Sequence, residues 1–283
     1  MKTSASICAL VAALGVSAKT YDVYRQAPQP QQRHRVMLAA TAADAATNKA
    51  PESVRGGAWL TADDIGAAVG TIVVPQARMP TEGPTGNNQA GLYMASFWVG
   101  LGCADTADSP LLRAGVDIFW DGGMETYNAW HQWYPNPSTA FDVSAGNFSI
   151  VPGDRVRMGA VAPGEDGTPG LVRVENLSRG GEVRYEFAAG QGAGAAPCGT
   201  GAAWVVEDFT LAGLPDVPVA LANFSSTTFE DAHALTAAKH ARTISAKKAR
   251  LFDISLQDQG GKLTSCSISG RKNVVCSRMV ENP

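Results

Sequence analysis

The sequence predicts an all-β protein, an antiparallel sandwich or barrel. Short runs of strand-like residues follow one another from about Gly56, separated by Gly, Pro and Asp. The chain carries 30 glycines and 16 prolines, and only 17% of its residues are charged. No convincing amphipathic helix interrupts the runs, apart from a possible turn or two around DAHALTAAKHAR at 231–242. Many short strands with turn signals between them are the mark of antiparallel β architecture.

The runs come in order as AAVGTIVV (67–74), GLYMASFWVGLG (91–102), LLRAGVDIFW (111–120), TYNAWHQWYP (126–135), DRVRMGAVA (154–162), GLVRVENL (170–177) and EVRYEFAA (182–189). AAWVVEDF (202–209), VPVALANF (217–224), ARLFDISLQ (249–257), LTSCSISG (263–270) and VVCSRM (274–279) complete the series. Most are too short for stable helices and rich in the β-branched and aromatic residues that suit a pleated surface. TSCSISGRKNVVCSRM, 264–279, reads as a hairpin with a cysteine on each arm, so Cys266 and Cys276 are a natural local pair. Cys103 and Cys198 would then close a long loop. GQGAGAAPCGTG, 190–201, joins two strand-like runs and opens no helix, so it predicts a loop and no phosphate cradle.

The N-terminus differs from this body. MKTSASICALVAALGVSA has a lysine, an apolar core too short to span a bilayer, and small residues up to Ala18. Residues 1–18 therefore predict a secretory signal peptide. Residues 19–52 are rich in Gln, Ala and Pro and predict a propeptide or flexible extension, with the body occupying 53–283. Four cysteines outside the leader suit an oxidising compartment, so the chain is expected to be extracellular. Asn147, Asn176 and Asn223 stand in N-x-S sequons and are glycosylation candidates. The net charge of -3 and the lack of a basic run argue against nucleic acid as a partner, and no membrane contact is expected after leader cleavage. A monomer is expected.

LLRAGVDIFW puts Arg113, Gly115 and Asp117 on one face of a strand, opposite Leu112, Ala114, Val116 and Ile118. That face is either plain solvent or the lining of a site. Three other runs behave alike and give Trp98, Gly100 and Gly102, then Trp130, Gln132 and Tyr134, then Ala203, Val205 and Glu207. If the four strands are neighbours, these faces form an aromatic-lined groove with Glu207 as its carboxylate; otherwise the tryptophans are core and the polar residues an exposed face. Glu207 and Asp208 are adjacent and point oppositely, so they cannot act as a glycosidase pair on one side, and Asp117 is the remaining candidate for a second carboxylate. There is no GxSxG elbow and no HExxH, and the histidines at 34, 131, 233 and 240 have no ligand spacing. His131, between two tryptophans, reads as a packing residue. No metal or organic cofactor is implied.

WVG at 98–100, LL-x-x-GVD at 111–117, Y-x-AW-x-x-WYP at 127–135, VENL at 174–177 and WVVEDF at 204–209 together resemble the glutamic peptidases, or eqolisins. The resemblance runs from GGAWL at 56–60 to VVCSRM and includes both cysteine pairs. It implies a two-sheet antiparallel β-sandwich like that of legume lectins and concanavalin A, and a secreted acid endopeptidase made with a propeptide. In that family a glutamate is general base and then general acid, while a glutamine orients water and stabilises the oxyanion. The glutamate falls on Glu207; the glutamine position falls on Arg113. Acidic positions of the family pattern fall on Gly102 and Gln132, whereas Trp98, Asp117 and Trp130 are kept.

A guanidinium near Glu207 would favour the ionised carboxylate. Arginine also has no acceptor with which to orient water. The resemblance therefore implies an endopeptidase working with Glu207, with activity impaired or lost through Arg113. The alternative is a non-catalytic sandwich that binds peptides or glycans in the groove.

Overall fold

The alternating runs build two large β-sheets. The computed structural model describes residues 53–279 except 82, 84–90, 104–109, 144–147, 164–169, 189–197, 210–218, 238–240 and 257–258. The leader, the 19–52 extension, Asn147 and most of the glycine-rich loop lie outside the described residues.

Chain order gives β1 (Arg55–Thr61), β2 (Ile65–Val73), β3 (Leu92–Gly102), β4 (Leu111–Asp121), β5 (Met124–Tyr134), β6 (Thr139–Ala140), β7 (Arg155–Val161), β8 (Gly170–Asn176) and β9 (Glu182–Phe187). It continues with β10 (Gly201–Glu207), β11 (Ala220–Leu221), β12 (Ser226–Thr236), β13 (Thr243–Ser245), β14 (Arg250–Phe252), β15 (Ser255–Leu256), β16 (Gly261–Lys262), β17 (Thr264–Ser269) and β18 (Asn273–Arg278). One sheet runs β14-β1-β10-β3-β4-β5-β6, with β11 beside β3 in parallel. The other runs β17-β18-β12-β2-β7-β8-β9, with β13 beside β12; β15 and β16 form a small separate ribbon.

The core lies between the sheets. Phe97, Val99, Leu112, Val116 and Trp204 of the first sheet pack with Ile72, Met158, Val172, Val174 and Phe229 of the second. Trp204 spans the gap and donates its indole N–H to the Val69 carbonyl at 2.8 Å. Gly70 leaves the room for it, because a Cβ there would lie 2.8 Å from Trp204 Cδ1. The sandwich expectation is met.

Three expectations need correction. The segment around residue 231 is not a helical turn: residues 226–236 form β12, beside β2 in the second sheet. A register shift between Glu230 and His233, with Asp231 at φ 52°, switches the buried parity from Thr227 and Phe229 to Ala232 and Ala234. That bulge breaks the alternation by which strands are read. Of the described part of VPVALANF, only Ala220 and Leu221 form a strand, β11. Asn176 is buried at 1% exposure, and its amide nitrogen donates to the Ser149 carbonyl and to Asp154, each at 2.8 Å. A glycan cannot be attached to a nitrogen so enclosed; Asn223 is half-buried and retains candidate status.

The C-terminal hairpin is β17 and β18, with Cys266 directly opposite Cys276 and bonded to it. Cys103 is bonded to Cys198. The second bond links the end of β3 to the approach to β10, the two strands that hold Trp98 and Glu207.

Candidate functional site

The four runs singled out by alternation are consecutive strands, in the order β10-β3-β4-β5, with β1 on the outer side of β10. Their registers align the outward-facing residues in rows across the sheet. One row reads Arg55, Glu207, Ser96, Asp117, Asn128; the next reads Gly57, Val205, Trp98, Gly115, Trp130. The third reads Trp59, Ala203, Gly100, Arg113, Gln132; the fourth reads Thr61, Gly201, Gly102, Leu111, Tyr134.

This face is no plain solvent face. Arg113 is 5% exposed, Asp117 8%, Gln132 1% and Glu207 5%. Buried charges are tolerated when paired or neutralised, and Arg113 and Glu207 are paired to one another. Arg113 Nη1 lies 2.6 Å from Glu207 Oε2. Trp98 Nε1 donates to the same oxygen at 2.6 Å, and Arg55 Nε donates to Glu207 Oε1 at 2.8 Å. Three donors thus converge on one carboxylate, an arrangement suited to its anionic form.

Glycines make this reach possible. Arg113 and Glu207 sit two rows and two strands apart, and the arginine side chain lies over Trp98, its Cζ 4.7 Å from the ring centroid and 5.2 Å from that of Trp130. A Cβ at Gly115 would stand 2.6 Å from the Phe97 carbonyl oxygen and 2.8 Å from both Trp98 and Trp130. A Cβ at Gly100 would stand 2.9 Å from that of Arg113. Gly115→Ala is expected to lower stability by about 1–3 kcal/mol, the range for overpacking. Urea unfolding measures this, and an unchanged midpoint would show that the tryptophans can part without loss.

Gln132 holds the other side of Arg113. Its Oε1 accepts from Arg113 Nε at 2.6 Å, while its Nε2 donates to the Asn136 carbonyl at 2.7 Å. The two contacts fix the amide's orientation, since each end meets its complement. Gly102 is not an open place in the groove: Leu111 and Trp59 fill the space, and a Cβ would lie 2.9 Å from Leu111 Cδ1. Asp208 points away from the groove and accepts from Gln259 Nε2 at 2.8 Å.

Burial raises the Asp117 pKa from 3.8 to about 7, and the Glu207 charge adds to the rise. The Ser96 hydroxyl, the Trp130 indole and the Arg113 charge oppose it, although neither Ser96 nor Trp130 completes a well-aligned hydrogen bond. Burial likewise lowers Arg113 from its ordinary value, with Glu207 as the main opposing influence. Burial lowers His131 from 6.5 to about 4; its ring is packed by Phe141, Tyr185 and Phe187 on the core side of β5.

These two shifts act oppositely on stability. Between about pH 4 and 7 the folded chain keeps a proton on Asp117 that the unfolded chain releases, so stability falls as pH rises, by about 1.4 kcal/mol per pH unit. Between about pH 4 and 6.5 the unfolded chain protonates His131 and the folded chain does not, so stability rises with a similar slope. The wild-type contributions offset each other there. In Asp117→Asn the His131 slope stands alone, and stability should climb from pH 4 to 6.5 in urea titrations. A profile parallel to wild type would show that Asp117 does not carry the proton.

Arg55 is the site residue that alternation failed to single out. It opens β1 on the same parity as Gly57 and Trp59, and the Arg-x-Gly-x-Trp pattern of RGGAW carried that signal. Among the described residues, no group of three His, Cys, Asp or Glu side chains is placed to hold a metal ion.

The sandwich that carries this face is that of a peptidase family. The model of the peptidase A4 family matches residues 53–278, and the chain belongs to that family. It is 33% identical over 234 residues to aspergillopepsin-2 of Aspergillus niger, covering 79% of this chain and 77% of that protein. It is 31% identical over 230 residues to scytalidopepsin B of Scytalidium lignicola, covering 80% and 78%. Among solved structures, scytalido-glutamic peptidase with a peptide-based transition-state analogue superposes with a TM-score of 0.62 at 27% identity, over 81% of this chain and 99% of that one.

Proposed function

We propose that this protein receives extended polypeptide in the groove formed by β10, β3, β4 and β5, and that hydrolysis there is suppressed by Arg113. Glu207 is the group that would serve as general base and then general acid, and Arg113 stands at the position of the water-orienting glutamine. The observation that carries this reading is the buried 2.6 Å contact between Arg113 Nη1 and Glu207 Oε2. A general base must accept a proton from water, and a carboxylate oxygen held by a guanidinium and an indole N–H is poorly placed to do so. The leader pattern of residues 1–18 and the composition of 19–52 support a secreted protein, and the bound peptide-based analogue of scytalido-glutamic peptidase supports a polypeptide ligand. Among the described residues no helix is long and apolar enough to cross a membrane.

A second reading, slow endopeptidase activity, rests on the same proximity. Arg113 places a hydrogen-bond donor beside Glu207, and such a donor could stabilise an oxyanion. The test is incubation of the purified protein with a fluorescently labelled denatured protein across acid to neutral pH. Saturable binding with the polypeptide recovered intact supports the first reading. Cleavage that Glu207→Gln abolishes supports the second, and neither binding nor cleavage overturns both.

A further inference from the structure

The groove face does not stop at β1. Arg250 of β14 stands directly opposite Trp59 of β1, and Phe252 opposite Gly57, so both share the facing of the groove rows. Phe252 is half-buried against the cluster that includes Trp59, Trp98 and Trp130, as that facing requires. The row of Trp59, Ala203, Gly100, Arg113 and Gln132 therefore begins with Arg250, at the edge of the sheet. Unlike Arg55 and Arg113, Arg250 is exposed.

Arg250 ends a run of unpaired cations. From Ala241 to Phe252 the chain carries Arg242, Lys247, Lys248 and Arg250 and no acidic residue. All four are exposed, and none makes an ion pair among the described residues. Elsewhere such groups are matched: Arg155 with Glu230, Arg157 with Glu175 and Lys272 with Asp231. The carboxylates at hand are committed already. Asp253, which follows β14, holds Lys262 at 2.9 Å, and Glu207 is ringed by its three donors. Burial keeps Asp117, the other carboxylate of these rows, protonated below about pH 7. In these rows cations outnumber ionised carboxylates, although the chain as a whole carries a net charge of -3.

We infer that the groove selects polypeptide with acidic side chains, which Arg250 receives at the β14 end. The inference rests on the groove being the polypeptide site proposed above. Four strand spacings of about 4.8 Å separate β14 from β4, so Arg250 lies roughly 19 Å along the row from Arg113. An extended chain covers that distance in about six residues. A glutamate or aspartate at that spacing from the residue over Arg113 meets a guanidinium without another partner, whose planar fork of donors matches a carboxylate. Lys247 and Lys248 stand three and two residues before Arg250, in the 3-10 turn Ala246–Lys248, and add to the local field. A basic polypeptide meets like charge at the same place.

The test is calorimetric titration of the full protein, at about pH 6 where glutamate is ionised, with three end-capped peptides. Each has about 13 residues, long enough to reach Arg250 from the middle of the groove in either direction. They share one neutral sequence and differ only in carrying Glu, Gln or Lys pairs at both ends. The expected order of affinity is Glu, then Gln, then Lys, with Glu about fivefold tighter than Gln, the upper size of one exposed ion pair. Raising salt from about 0.15 M to about 0.5 M should shrink that ratio. Arg250→Gln should level the Glu and Gln peptides. Arg184→Gln, which removes an exposed cation from the outer face of the second sheet, should keep the ratio. Where the peptides are cut, the same ratio is read from kcat/KM. Equal affinity for the three peptides, or a ratio that survives Arg250→Gln, overturns the inference and leaves the groove a polypeptide site. Loss of the ratio in Arg184→Gln overturns it too, and binding of no peptide overturns both the inference and the reading beneath it.

Discussion

Arg113→Gln is expected to raise peptide-bond cleavage at acid pH by about 100-fold or more, the lower end of what a working general acid–base arrangement contributes. The substitution releases Glu207 Oε2 from the guanidinium while leaving Trp98 Nε1 on that oxygen and Arg55 Nε on the other. A glutamine amide offers both an acceptor for water and donors for an oxyanion, whereas arginine offers donors alone. Adding Glu207→Gln to this variant should remove the gain completely. A natural protein already as fast as Arg113→Gln would show that the clamp opens when polypeptide binds, and suppression by Arg113 would be refuted.

Glu207→Leu should destabilise the fold by about 3–5 kcal/mol, the loss typical when one partner of a buried ion pair is removed. The remaining guanidinium of Arg113 would keep Gln132 and the faces of Trp98 and Trp130, none of which carries a negative charge. The double variant Arg113→Met, Glu207→Leu should recover part of that loss, because apolar groups of similar size replace the Arg113–Glu207 pair while Arg55 Nε still loses its carboxylate. Urea unfolding of the two single variants and the double variant closes the cycle and yields the coupling between them. Equal destabilisation of the double and the Glu207→Leu single variants would mean that Arg113 gains little from the carboxylate.

Much of this architecture was legible in the sequence. Strict alternation placed Arg113, Gly115 and Asp117 together on one face, and the same period placed Trp98, Trp130, Gln132 and Glu207 on the faces that prove to be adjacent. The hairpin carrying Cys266 and Cys276 was legible for a similar reason, as its two arms are short, regular and joined by a turn. Local pattern failed where a strand departs from its period. In β12 the bulge near Asp231 moves the buried set from odd to even positions, and the alanines that follow it suit a helix equally well. The Arg-x-Gly-x-Trp period of RGGAW carried the facing of Arg55, but the pairing of β1 with β10 that brings it to Glu207, 152 residues on, is a tertiary contact. The enclosure of Asn176 by Ser149 and Asp154 is likewise a tertiary contact, invisible to a three-residue sequon.

Arg113 sits in β4, a strand hydrogen-bonded on both sides by β3 and β5 over its full length. Its backbone is therefore fixed by neighbours that are indifferent to its side chain, and the space it occupies above Trp98 is kept open by glycines on two adjoining strands. Each glutamine codon lies a single base from one arginine codon. The sheet would accept either residue without a change of register, so one point mutation in a gene of this kind could convert a cleaving groove into a holding one, or restore it, with the rest of the inheritance untouched.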